Sequence, residues 1–143
     1  MNTSARRRPA SFALLFYYVL LFLSTASAYR KPYPVFAWVL RGAPARAAVV
    51  LDCLVLVHIV VGIVRAQRLT WYLVLAYNAL QMGSLAVGLH TWPLSDLAAE
   101  LGFRQGAGTL ETALWISGLT TAVASAYAVH RRAAFWDPNP FLF

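Results

Sequence analysis

The chain reads as an all-α integral membrane protein, a bundle of four membrane-spanning helices with short interfacial segments between helices one and two and between helices three and four. Three observations predict this. Of 143 residues, 60% are hydrophobic and 12% are charged, where a soluble domain carries about 25% charged residues. The apolar residues fall into four long runs, near residues 11–28, 47–64, 71–89 and 110–129, all within the roughly 17–25 residues a crossing helix needs. The basic residues sit at the ends of those runs, where they orient a membrane chain and meet anionic headgroups. The net charge of +7 therefore points to a lipid bilayer and not to nucleic acid.

The first run follows Arg6, Arg7 and Arg8 and contains FALLFYYVLLFL. A basic start, an apolar core and Ala26-Ser27-Ala28 also match a cleavable signal peptide. Its aromatic residues Phe16, Tyr17, Tyr18 and Phe22 suit a permanent packed helix, and it is taken here as helix one. In the connection that follows, Pro32, Pro34 and Pro44 exclude one continuous helix. Residues 33–41 are apolar but too short to span. They fit either a segment in the headgroup region, anchored by Tyr33 and Trp38, or a surface loop packed on the bundle.

Residues 47–64 and 71–89 form a hairpin joined by the basic stretch RAQRLT, 65–70. This hairpin carries the polar groups that could do chemistry at depth: Asp52 and His58 in the first arm, and Asn78, Gln81 and Ser84 in the second. Such groups are expensive in lipid, face the bundle interior and find partners. His58 before Arg65 and Asn78 after Thr70 lie at similar depths, roughly 10 Å from the joint at 1.5 Å per residue. The spacing predicts a His58–Asn78 or His58–Gln81 hydrogen bond, with Gly62 allowing close approach. Asp52 is expected either as a structural acid bonded to Ser84 or as a proton or cation relay. His58 is also the one candidate for a single-ligand haem or chlorin. His90 and His130 lie near opposite ends of the runs, so neither is placed to pair with His58 across one macrocycle, which argues against a two-His haem within the chain.

Beyond residue 89, the positions Leu94, Leu97, Ala98 and Leu101 share one helical face. They predict a short amphipathic helix over 95–102, with Ser95 as N-cap and Gly102 as stop, lying on the membrane or over the bundle mouth. Thr109 is the expected N-cap of the fourth span. That span carries small residues in two rows, Ala113, Ser117, Thr121 and Ser125, and Gly118, Ala122 and Ala126. Small rows let helix backbones approach closely in lipid, so it is expected to pack on two sides. Trp71, Trp92 and Trp136 are further interfacial anchors.

One cysteine, Cys53, excludes an intrachain disulfide and a CxxC pair. No phosphate loop, HExxH, GxSxG or carboxylate-rich metal motif occurs, so no enzyme class, metal or resident cofactor is indicated. With the N-terminus inside, seven basic residues (Arg6, Arg7, Arg8, Arg65, Arg68, Arg131, Arg132) fall on the cytoplasmic side and five (Arg30, Lys31, Arg41, Arg46, Arg104) outside. The short basic tails and joint favour cytoplasmic termini, in a bacterial inner membrane. The expected role is non-enzymatic: an accessory subunit packed against other integral membrane subunits or against itself. The alternative is a small transporter or proton-coupled carrier using the polar groups of the hairpin.

Overall fold

The computed structural model describes residues 11–102 and 107–135. Its elements run α1 (Phe12–Ser27), β1 (Tyr33–Val35), β2 (Trp38–Leu40), α2 (Gly42–Val64), α3 (Arg68–Thr91), α4 (Leu94–Glu100), α5 (Ala107–His130) and a closing 3-10 turn (Arg132–Phe135). Among the described residues, α2, α3 and α5 are long and apolar enough to cross a membrane. Helix α1 is apolar but has 16 residues, about 24 Å at 1.5 Å per residue, short of the roughly 30 Å hydrocarbon layer.

Each helix start has a local cause. The Ser11 hydroxyl accepts from Leu14 N at 3.3 Å, satisfying one of the orphan donors of the first turn. Helix α2 begins at Gly42, five residues before the expected 47. Pro44 sits in its first turn, where the missing N–H costs nothing, so this proline opens the helix and does not interrupt it. Helix α3 begins at Arg68, because the polar Arg68 and Thr70 serve as a first turn. Helix α5 begins by Ala107, which places Thr109 inside the helix and not at its cap.

The joint between α2 and α3 is tight. Gln67 N donates to Gly62 O at 3.0 Å, and Ala66 takes a left-handed φ of 52°. Gly62 is required there: an added Cβ would run into Thr70 Oγ1 and lie 2.8 Å from the Thr70 Cβ and 2.9 Å from its Cγ2.

Residues 33–40 form a short β-hairpin packed on the helices. Proline excludes helix, and the strands pair antiparallel with Tyr33 opposite Leu40 and Val35 opposite Trp38. Phe36 turns at φ 53°, the positive φ that a two-residue hairpin loop calls for. The tip is fastened to one stripe of α3. Phe36 N donates to Ser84 Oγ at 2.8 Å, Phe36 O lies 3.4 Å from where a Cβ on Gly88 would stand, and Trp92 Nε1 donates to Ala37 O at 3.0 Å.

Helix α4 packs inward: Leu97 and Ala98 are buried with Leu110, beside Val39, Trp92 and Leu114. Its N-cap is Pro93, and the Ser95 hydroxyl bonds to Asp96 instead of capping. Gly102, at φ 74°, ends the helix as expected. An exposed ion pair between Arg41 and Glu100 ties hairpin to α4.

The long helices alternate in direction. Ser11 at the start of α1 donates to the Tyr127 hydroxyl near the end of α5 at 3.2 Å, and Trp71 at the start of α3 donates to Ala128 O at 2.9 Å. One core joins them: Leu14 and Tyr18 of α1, Leu56, Ile59 and Ile63 of α2, Val74 and Tyr77 of α3, Ala124 and Ala128 of α5, and Phe135. Hairpin and α4 close the opposite end.

Candidate functional site

Because α2 starts at Gly42, Asp52 lies about 15 Å along it at 1.5 Å per residue, near the midpoint of this 23-residue helix. The Tyr33 hydroxyl, reaching in from β1, donates to Asp52 Oδ2 at 2.5 Å. The Tyr77 hydroxyl of α3 interacts with the same carboxylate and accepts from Gln81 Nε2 at 2.7 Å. Thr25 of α1 also hydrogen-bonds the Tyr33 phenol. Burial first, then the hydrogen bond to Asp52 and its charge, raise the Tyr33 phenol above its ordinary value, so it stands as a protonated donor. Two other elements, β1 and α3, thus reach the acid on α2, and α1 supports Tyr33.

This cluster lines a cavity of about 380 Å³ between α2 and α3, under the β-hairpin. Tyr33, Asp52, Tyr77, Gln81 and Ser84 supply its polar wall, and Leu51, Val55, Leu73 and Leu80 its apolar wall. Leu51 and Leu80 are 64% and 55% exposed, so the cavity opens sideways along the α2–α3 seam. A second cavity of about 200 Å³ lies behind it against α5, and Gln81 and Ser84 line both.

Three of the five polar positions expected at depth therefore meet in one place: Asp52, Gln81 and Ser84. Their pairing differs from expectation. Asp52 takes Tyr33, and Ser84 accepts from the hairpin backbone. Asn78 is buried elsewhere, in a bridge across three helices. Its Oδ1 accepts from the Tyr18 hydroxyl at 2.9 Å, and its Nδ2 donates to Ser125 Oγ at 2.9 Å. Both polar ends of Asn78 are therefore engaged away from His58, and the expected bond between the two does not form. His58 is exposed on the outer face of α2, which buries Val49, Leu56, Ile59 and Ile63 instead. His58 matches Asn78 in depth but not in helical phase, and it lies outside the Asp52 cavity.

The small residues of α5 divide likewise. Gly118 meets Leu85 of α3, 3.2 Å from where its Cβ would stand. Thr121 Oγ1 bonds to the Tyr17 hydroxyl at 3.0 Å and donates to Ser117 O at 2.8 Å, and Ser125 joins Asn78. Ala113, Ala122 and Ala126 are exposed. Of the aromatic anchors, Trp38 is 73% exposed, Trp71 and Trp92 are half-buried donors to backbone carbonyls, and Trp136 lies outside the described residues. Tyr33 points into the protein and not along its surface.

No family model, curated protein or solved structure matches this chain. Its function is read from the site.

Sequence reasoning missed the tyrosines. Tyr18, Tyr33 and Tyr77 supply the hydroxyls that satisfy Asn78 and Asp52. A signal existed for Tyr77, which stands four residues before Gln81 and so on the same face of α3. Among the described residues, no group of three His, Cys, Asp or Glu side chains gathers to hold a metal ion.

Proposed function

We propose that the chain is a non-enzymatic, four-span membrane protein that takes a small ligand into the α2–α3 cavity, as a binding protein or carrier. One observation carries this reading: a carboxylate midway along an apolar helix lines an open cavity and is served by a phenol from outside the helices. A membrane protein with no use for that acid would avoid its cost, about 2.5–3.5 kcal/mol at a helix centre on the insertion scale.

The four-span reading draws on α1. Its Leu14 and Tyr18 belong to the common core, and its Tyr17 and Tyr18 bond to α5 and α3. Such engagement supports α1 as a lasting fourth member of the bundle. The end of the bundle that holds Arg65, Arg68, Arg131 and Arg132 is assigned to the cytoplasm, in a bacterial inner membrane. A second reading, an accessory subunit of a larger assembly or a homo-oligomer, draws on α5, where Ala122 and Ala126 face outward beside Trp115 and Leu119.

Thiol labelling tests the cavity. In a Cys53→Ala background, Ala76→Cys places a thiol on the cavity wall. Rapid reaction with N-ethylmaleimide in native membranes is expected. An introduced thiol that reacts only after the protein is unfolded would overturn the reading.

A further inference from the structure

The charges around the cavity narrow what it holds. Among the described residues, Asp52 is its one charged wall residue; no Lys, Arg or His lines it. The groups that face the carboxylate are neutral donors: Tyr33 from β1 and Tyr77 from α3, with Gln81 behind Tyr77. The nearest arginine on the same helix, Arg46, is exposed and donates to Gly42 O at 3.4 Å. Phenols aimed at a carboxylate solvate an anion, but they bring no positive charge. Asp52 is half-buried, and a charge midway along an apolar helix is costly unless a partner in the same site offsets it.

We propose, resting on the ligand-cavity reading above, that the occupant is a monovalent organic cation with an apolar body, its charge on Asp52 and its body against Leu51, Val55, Leu73 and Leu80. Three features select this class. A carboxylate can accept about four hydrogen bonds, so Tyr33 and Tyr77 leave room for a cationic head. The Tyr33 and Tyr77 rings line the same wall, and aromatic rings favour a cation over an anion as a neighbour. The cavity volume of about 380 Å³ falls in the size range of small-molecule sites, about 300–1,000 Å³.

The same features exclude the nearest competitors. Calcium takes six to eight oxygen ligands and magnesium a near-ideal octahedron, against one carboxylate here. A bare monovalent ion would leave the apolar wall empty. An anion would meet Asp52 without a compensating base. The sideways opening at Leu51 and Leu80 suits a molecule that partitions into the bilayer before it enters.

The test uses the full chain in a mild neutral detergent and a pair of probes of one shape and opposite charge, tetraphenylphosphonium and tetraphenylborate. Saturable binding of radiolabelled tetraphenylphosphonium by equilibrium dialysis is expected, and no saturable binding of tetraphenylborate dialysed separately. Asp52→Asn should weaken it at least about tenfold, as when one partner of a desolvated charge pair is removed. Ala76→Phe, at an exposed rim position, should block binding with Asp52 intact, and it carries the test if Asp52→Asn fails to fold. Equal binding of the two probes, wild-type affinity in Asp52→Asn, or undiminished binding in Ala76→Phe would overturn the proposal. So would absence of saturable binding to the folded protein. In every one of these cases the thiol labelling of the Ala76→Cys protein decides separately whether the cavity reading survives.

Discussion

Replacing Asn78 by leucine should loosen three helices at once. Asn78 is 1% exposed, and Tyr18 is fully buried. The substitution keeps the size of the side chain and removes both interhelical bonds, to Tyr18 of α1 and Ser125 of α5. Ser125 retains its bond to Thr121 O at 2.8 Å, so the main stranded group is the Tyr18 hydroxyl. Interhelical side-chain bonds in a membrane protein average about 0.6 kcal/mol and reach about 1.7, and a buried donor left unsatisfied costs about 1–3 kcal/mol. The expected loss is therefore about 1–3 kcal/mol, measured as a shifted unfolding midpoint in mixed micelles titrated with a denaturing detergent. Adding Tyr18→Phe to Asn78→Leu removes the stranded hydroxyl and should recover part of the loss. An Asn78→Leu protein as stable as the original, or strictly additive effects in the pair, would refute the bridge and with it the place of α1 in the bundle.

Gly62→Ala should cost about 1–3 kcal/mol, the usual penalty of overpacking, because the new Cβ would overlap three atoms of Thr70 and no rotation of Thr70 clears its own Cβ. The same change in a Thr70→Gly background should cost much less; equal costs in both backgrounds would contradict the close approach. His58→Leu should fall within about 0.5 kcal/mol of neutral, since His58 is exposed on the outer face of α2; a large loss by the same unfolding assay would return it to the interior. Reporter fusions at the C-terminus and in the joint at 65–67 should both report cytoplasm, and an external C-terminus would overturn the orientation.

The hydropathy of the chain carried most of the helical architecture, because a run of apolar residues that long has few other fates. It did not carry helical phase. Helix α2 is apolar nearly all round, so nothing in its pattern says that Ile59 is buried and His58 exposed; the neighbours decide that. The β-hairpin was legible only as a place where prolines forbid helix. Its strands are three residues each, too short for alternation to register, and Phe36 at positive φ has no compositional signal. Asp52 was legible as an anomaly in an apolar run. Its partner Tyr33 was not, because that bond joins a connection to a helix 19 positions away, and tyrosine at such a place reads equally well as a surface anchor.

The claim that the hairpin reaches into the helices to complete the Asp52 site is tested most directly by a double-mutant cycle. Tyr33→Phe, Asp52→Asn and the pair of changes together are compared with the original chain in the unfolding assay. A direct hydrogen bond between the two side chains predicts a coupling energy of about 0.5–3 kcal/mol, the range for residues in contact. Strictly additive effects would place Tyr33 away from Asp52 and contradict the site.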